Sequence, residues 1–186
     1  MCLLMADIEP LKPSNTGWLI ADVVSDTFAY GWARTEVDPA LLALLNDPQW
    51  QPYVVFPAEF ADEARVVHEV KLKDNKRSLF ILLDGTWDEA RKMFRKSPYL
   101  QNLPVLSLQP EELSRYKLRR AQSEAHLCTA EVGALCLDLA NDTQAAAALN
   151  AYFEVFTEHY LKAKQQLPVD LNDNVHLQLL AATHSA

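Results

Sequence analysis

Leu79 to Leu83 is a run of apolar residues that Asp84-Gly85 ends abruptly. A short continuous apolar run fits a strand buried on both faces, as in a parallel sheet. Thr86-Trp87-Asp88-Glu89 follows, a threonine with a glutamate three residues on, which is the sequence pattern of a capping box. The helix predicted from there is stopped by Ser97-Pro98. Along it Trp87, Ala90, Arg91 and Phe94 share one face with Met93 beside it, while Arg91/Arg95 and Lys92/Lys96 are basic pairs spaced i, i+4. Strand, sharp turn and helix in this order constrain the chain to an α/β fold. Asp84 then stands at the carboxyl end of a strand, where open α/β sheets bind ligands. A carboxylate directly after a buried apolar run needs a partner or a task. Thr86 and Glu89 can be a cap and nothing more, and Trp87 and Phe94 can be core alone.

The rest of the chain alternates in the same way. Cys2 to Ala6 fits a first strand, ended by Asp7-Ile8-Glu9-Pro10. Lys12 to Gly17 is polar and rich in turn formers. Its Ser14, Asn15 or Thr16 can cap a helix over Trp18 to Val24, and the same segment could equally hold a ligand. Thr27 to Trp32 fits a second strand, Pro39 to Leu45 a helix with proline in its first turn, and Tyr53 to Phe56 a third strand closed by Pro57. Phe60 to Val67 is expected to be helical with a charged outer face, and Lys71 to Arg77 to be a basic connector. Beyond the central motif, Pro104 to Leu108 fits another short strand, and Pro110 to Ser114 a loop or short helix. Cys128-Thr129-Ala130-Glu131 leads into an apolar helix over Val132 to Ala140. Thr143 to Lys164 fits a long helix, and a tail after Leu167-Pro168 carries a short helix near Val175 to Ala182. With no internal repeat and no low-complexity linker, the pattern predicts a single α/β domain, its mostly parallel sheet flanked by helices.

Composition removes several classes of function. At 186 residues and 49% hydrophobic, the chain can bury a sizeable core and is not of the disordered type. No apolar stretch approaches the length that spans a bilayer, so no membrane partner is expected. Met1 to Ala6 lacks the basic start of a signal peptide, which makes a cytoplasmic location the default. Cys2, Cys128 and Cys136 have neither metal spacing nor a disulfide framework, and Cys128 and Cys136 are expected to pack as small apolar residues. The five histidines are scattered, so no metal is expected. Glycine occurs only 4 times, and no Walker loop, G-x-G-x-x-G or G-x-S-x-G is present. The net charge is -8, yet residues 71–120 hold 12 basic against 6 acidic side chains. Arg115-Tyr116-Lys117-Leu118-Arg119-Arg120 carries four basic residues in six with a tyrosine between them. A focused basic patch with an interleaved aromatic suits nucleic acid even on an acidic protein, and suits a solvated face as well.

Asp84-Gly85-Thr86-Trp87 resembles the signature of the DTW-domain proteins. Glu9 to Gly17 resembles that family's N-terminal motif and Val55-Phe56-Pro57 its third-strand motif. Asp84 to Tyr99 is similar to the bacterial branch almost word for word. Tyr116-Lys117-Leu118-Arg119 and Cys128 to Glu131 resemble the two downstream motifs. Five motifs in order, over roughly residues 2–165, make the resemblance specific. Asp7 departs from it, standing where many relatives have histidine. Relatives usually carry a Cys-rich, zinc-binding segment upstream, which is expected to be absent here.

What the resemblance implies is a tRNA-uridine aminocarboxypropyltransferase. Such an enzyme moves the 3-amino-3-carboxypropyl group of S-adenosylmethionine to uridine N3, at position 47 of the variable loop in the bacterial branch, and leaves methylthioadenosine. The implied fold is SPOUT-like, with a C-terminal trefoil knot around the cofactor. The catalytic domain would span residues 1–165, with 166–186 as a tail. Asp84 is the expected base, or alternatively a hydrogen-bond acceptor for the cofactor's amine. Phe56, Pro57, Gly85, Thr86, Trp87, Ser107, Leu108, Thr129 and Glu131 are the expected cofactor-binding residues. Lys12, Arg91, Lys92, Arg95, Lys96, Arg119 and Arg120 are the expected tRNA contacts. Arg91, on the face of Trp87 and Phe94, could instead anchor a carboxylate. An S-adenosylmethionine-dependent RNA methyltransferase of the same fold and a non-catalytic RNA-binding module are the alternatives. Nothing in the sequence sets the oligomeric state.

Overall fold

The computed structural model describes residues 1–72, 75–108 and 127–183. In chain order its elements are β1 (Cys2–Met5), α1 (Gly17–Val23), β2 (Phe28–Gly31), α2 (Pro39–Asn46), β3 (Trp50–Val55), β4 (Val66–Val67), β5 (Arg77–Asp84), α3 (Trp87–Lys96), β6 (Val105–Leu106), α4 (Thr129–Leu139), α5 (Thr143–Lys164) and α6 (Asn174–Thr183). They form two compact units. One holds the six strands with α2 and α3; the other holds α1, α4, α5 and α6.

The sheet is parallel throughout, in the order β2-β1-β5-β3-β6-β4. Leu79 to Leu82 are all buried, as the continuous apolar run of β5 requires. Alternate residues of three adjacent strands, Cys2 and Leu4, Leu79 and Ile81, and Trp50 and Val54, share one cluster. Leu41 and Leu44 of α2 and Ala90, Met93 and Phe94 of α3 pack into the same cluster. Pro39 opens α2, and Asp38 Oδ1 accepts the Ala40 N–H at 2.8 Å.

In the helical unit, Gly133 of α4 lies against Ile20 of α1 and Leu149 of α5. Helix α5 keeps the bounds read from the sequence, with Asp142 Oδ1 accepting the Ala145 N–H at 3.2 Å. Helix α6 is clasped to α5 by two imidazoles, His159 Nε2 to His176 Nε2 at 2.7 Å. Asp173 Oδ1 meets His176 Nδ1 at 2.6 Å, and Lys162 pairs with Glu158.

Four local expectations are corrected. Phe60 to Val67 is not a helix: two 3-10 turns, Ala58–Phe60 and Glu63–Arg65, lead into β4 at Val66–Val67. The adjacent β-branched pair favours a strand, and β6 offers it a partner. Strand β3 begins at Trp50 and so contains Pro52. That is tolerated because β6 pairs only with Val54 and Val55, leaving the earlier part of β3 as an edge. Strand β6, at Val105–Leu106, is shorter than Pro104 to Leu108. Helix α4 starts at Thr129 instead of Val132, because Glu131 Oε2 accepts the Cys128 N–H at 2.9 Å and caps an earlier turn. Thr16 holds the N-cap position of α1 without a capping bond. Its Oγ1 accepts the Ala130 N–H at 3.4 Å.

Candidate active site at the carboxyl edge of the sheet

Asp84 is the last residue of β5 and is fully buried. Its strand lies beside β1, with Met5 opposite Asp84, and the Ala6 N–H donates to the Asp84 carbonyl at 2.9 Å. From β1 the next strand, β2, lies on one side; from β5 the next, β6, lies on the other. The carboxyl ends of β1 and β5 therefore flank a topological switch point, the place where open parallel sheets bind ligands.

The turn after β1 folds back over this point. The Glu9 N–H donates to the Ala6 carbonyl at 3.0 Å, and Pro10 supports a 3-10 turn over Glu9–Leu11. The Lys12 N–H then donates to the Glu9 carbonyl at 3.1 Å and the Asn15 N–H to the Lys12 carbonyl at 2.9 Å. This winding buries Asn15 and Glu9 beside Asp84. Asn15 Nδ2 donates to Asp84 Oδ2 at 2.7 Å and to Glu9 Oε1 at 3.3 Å, and Lys12 Nζ pairs with Glu9 Oε2 at 2.5 Å. A buried carboxylate is tolerable only with donors of this kind. The sequence reading named neither Glu9 nor Asn15 as a site residue. The available signal was the polar turn after the first strand.

On the other side, Gly85 makes the turn from β5 into α3. A Cβ there would stand 3.2 Å from the Cβ atoms of Ala6 and Glu89, so any larger residue would crowd the turn. Thr86 caps α3: its Oγ1 accepts the Glu89 N–H, and Glu89 Oε2 accepts the Thr86 N–H at 2.8 Å and its hydroxyl at 2.6 Å. The hydroxyl and backbone of Thr86 hold the Glu89 carboxyl below its usual range, with Lys12 and Lys92 adding to the effect. Trp87, half-buried, stacks on Phe56 with ring centres 5.4 Å apart, and Phe94 stacks on Phe56 at 4.5 Å. Phe60 meets Trp87 edge-on at 5.5 Å, which completes an aromatic wall. Pro57 leads from Phe56 into the following turn. Ser107, buried at the carboxyl end of β6, accepts the Ala58 N–H on its Oγ at 3.1 Å. Leu108 beside it is half-buried. The sheet unit thus brings Asp84, Gly85, Thr86, Trp87, Phe56, Pro57 and Ser107 to one edge.

Thr129 and Glu131 are buried in the first turn of α4 in the helical unit. Of the basic residues, Lys12 is engaged with Glu9, Arg91 pairs with Asp88 in its own helix, and Lys92 Nζ lies 5.3 Å from the centre of the Trp32 ring. Lys92, Arg95 and Lys96 are exposed along α3. Arg119 and Arg120, with Arg115 and Lys117, lie outside the described residues. All three cysteines are buried, and burial pushes the thiols of Cys2 and Cys128 up to about 12. They behave as apolar side chains.

A buried carboxylate at the switch point of an all-parallel sheet, with an aromatic wall on the same edge, makes this edge a candidate ligand site. The sequence model of the DTW domain matches residues 1–161, and the chain belongs to the DTW domain family, which is associated with tRNA-modifying enzymes. No solved structure matches the chain.

Proposed function

We propose that this protein is a tRNA-uridine aminocarboxypropyltransferase, with a SPOUT-like fold whose C-terminal part is knotted around the cofactor site. The observation that carries the reading is the buried Asp84 carboxylate at the switch point, next to the Trp87 wall. This edge suits S-adenosylmethionine as co-substrate: the half-buried indole offers an aromatic surface for its adenine, and the carboxylate lies at the strand ends where such ligands sit. S-adenosylmethionine would supply the aminocarboxypropyl group already activated for displacement.

The work left to the protein is small and definite. Uridine N3–H is a poor nucleophile until its proton leaves. Asp84 accepts that proton, the N3–C bond forms as the C–S bond breaks, and the electron pair departs on sulfur as neutral methylthioadenosine. The leaving group needs little assistance, so alignment, a base and exclusion of water are what the site provides. The exposed basic residues of α3, Lys92, Arg95 and Lys96, contact tRNA phosphates.

Incubation of purified protein with tRNA and S-adenosylmethionine, followed by nucleoside mass spectrometry, tests the reading. The aminocarboxypropyl adduct on uridine is expected; a methyl adduct would replace the reading with a methyltransferase. No cofactor binding by calorimetry would leave only an RNA-binding module. Asp84→Ala should keep the fold and lower the rate by about 10²–10⁴. Wild-type turnover in that variant would remove Asp84 from the chemistry.

A further inference from the structure

We infer that Asn15 is the positioning residue for Asp84, and that Glu9 holds Asn15 in the orientation this requires. The inference rests on the reading of Asp84 as the proton acceptor and names the device that prepares it.

The geometry leaves little freedom. One amide nitrogen faces two buried carboxylates, Asp84 Oδ2 at 2.7 Å and Glu9 Oε1 at 3.3 Å. A carboxamide turned the other way would put its oxygen, an acceptor only, against both anions. The Asn15 side chain therefore has one acceptable orientation, and Glu9 enforces it. The Asn15 amide thus anchors one oxygen of the Asp84 carboxylate, Oδ2. A base on a strand end without such an anchor would sample several rotamers, and proton transfer depends on alignment within hydrogen-bond reach. The turn that presents Asn15 is itself tied to β1 by the Glu9 N–H and to Glu9 by the Lys12 N–H, so the anchor is held from the sheet.

The charges around the pair have defined signs. From the turn after β1 come Glu9 and Lys12, an ion pair in which the carboxylate, not the ammonium, is the side that meets Asn15. From the first turn of α3 comes Glu89, which feels Lys12. From the end of β1 and the residue after it come the apolar, buried Met5 and Ala6. Asn15 donates to the ionised form of Asp84 and favours it, whereas the Glu9 carboxylate opposes it. Substitutions at the two positions should therefore move the titration of Asp84 in opposite directions.

Carbon-detected NMR of the Asp84 carboxyl group, in wild type, Asn15→Ala and Glu9→Gln, measures this without any reaction. Asn15→Ala should raise the Asp84 midpoint by about one to two pH units, the size expected for one hydrogen bond to a charged group. Glu9→Gln, close in shape and without the charge, should lower it. The rate of transfer to tRNA against pH supplies a second readout. In Asn15→Ala the ascending limb should move to higher pH with the midpoint, and the plateau above it should stay below wild type because the carboxylate is no longer aligned. A lesion that left the surroundings of Asp84 untouched would lower the plateau without moving the limb. An Asp84 midpoint identical in wild type and Asn15→Ala overturns the positioning role. Should Asn15→Ala fail to fold, Asn15→Leu, close in shape and without the donor, takes its place, and an unshifted Asp84 midpoint there overturns it instead. Absence of transfer by the wild-type protein would overturn the proposed reaction; opposite NMR shifts in the two variants would still support the coupling of Asn15 and Glu9 to Asp84.

Discussion

Replacing Gly133 with alanine should destabilise the protein, although helix propensity alone argues the reverse. Gly133 sits inside α4 with no positive φ, so its backbone would accept alanine, and alanine is about 1 kcal/mol the better residue in a helix interior. Space decides otherwise. A Cβ at this position would stand 2.7 Å from Ile20 Cδ1, 3.1 Å from Ile20 Cγ1 and 3.4 Å from Leu149 Cδ2. Ile20 and Leu149 are both fully buried, so the displaced methyl must press on other core atoms. Forcing an extra methyl into a filled core costs about 1–3 kcal/mol. The closest contact is with a terminal methyl that can turn about χ2, which places the cost in the middle of that range. After the propensity gain, the net loss should be about 1 kcal/mol. Ile20→Val removes the offending Cδ1 and on its own should cost about 0.5–1.5 kcal/mol. Combined, the two changes should be less harmful than their sum by about 1 kcal/mol. Urea unfolding of the four proteins of this cycle, with m-values compared, measures the coupling. A stabilised Gly133→Ala protein with additive behaviour toward Ile20→Val would refute the packing argument.

Two further outcomes follow from α3. Thr86→Ala removes the cap and should cost about 1 kcal/mol of stability. Glu89 has a folded pKa held down chiefly by Thr86, so its contribution is complete above the ordinary carboxylate range and is lost as pH falls through the lowered value. The variant should therefore lose stability at neutral pH and show a flatter acid limb, and an unchanged limb in pH-dependent melting would contradict the cap. Replacing Lys92 and Lys96 with glutamate should weaken tRNA binding while leaving S-adenosylmethionine affinity nearly unchanged. Each phosphate contact removed should flatten the log–log salt slope by about 0.7–0.9, and a slope identical to wild type would place the RNA elsewhere.

How much of this was legible before folding depended on how far apart the interacting residues are. The cap of α3, the stop at Ser97-Pro98 and the bounds of α5 follow from contacts within a few residues, and they stand where the sequence put them. The apolar run ending in Asp84 is equally local, which is why the central strand and its terminal carboxylate could be read directly. Residues 58–67 defeated the same reasoning. Whether Val66-Val67 continues a turn or becomes β4 is decided by whether a neighbouring strand offers open carbonyls, and that neighbour, β6, lies far along the chain. Pro52 is similar: its place inside β3 is permitted only because β6 is too short to pair with it.

The site divides along the same line. Asp84, Gly85, Thr86, Trp87 and the basic stripe of α3 are neighbours in sequence, and their places at a strand end, at a helix start and along the helix follow from residue type and spacing. That Asn15 and Glu9 would meet Asp84 does not follow. Asn15 is 69 residues away from it, and an amide has equally good uses as a helix cap or a solvated turn. The parallel pairing that sets Met5 opposite Asp84 chose among them, because it brings the turn after β1 over the end of β5. Local chemistry was written into the chain as residue order. Which buried carboxylates would share one donor was settled by strand order and register, since only the assembled sheet brings those groups together and removes the water that would otherwise satisfy them.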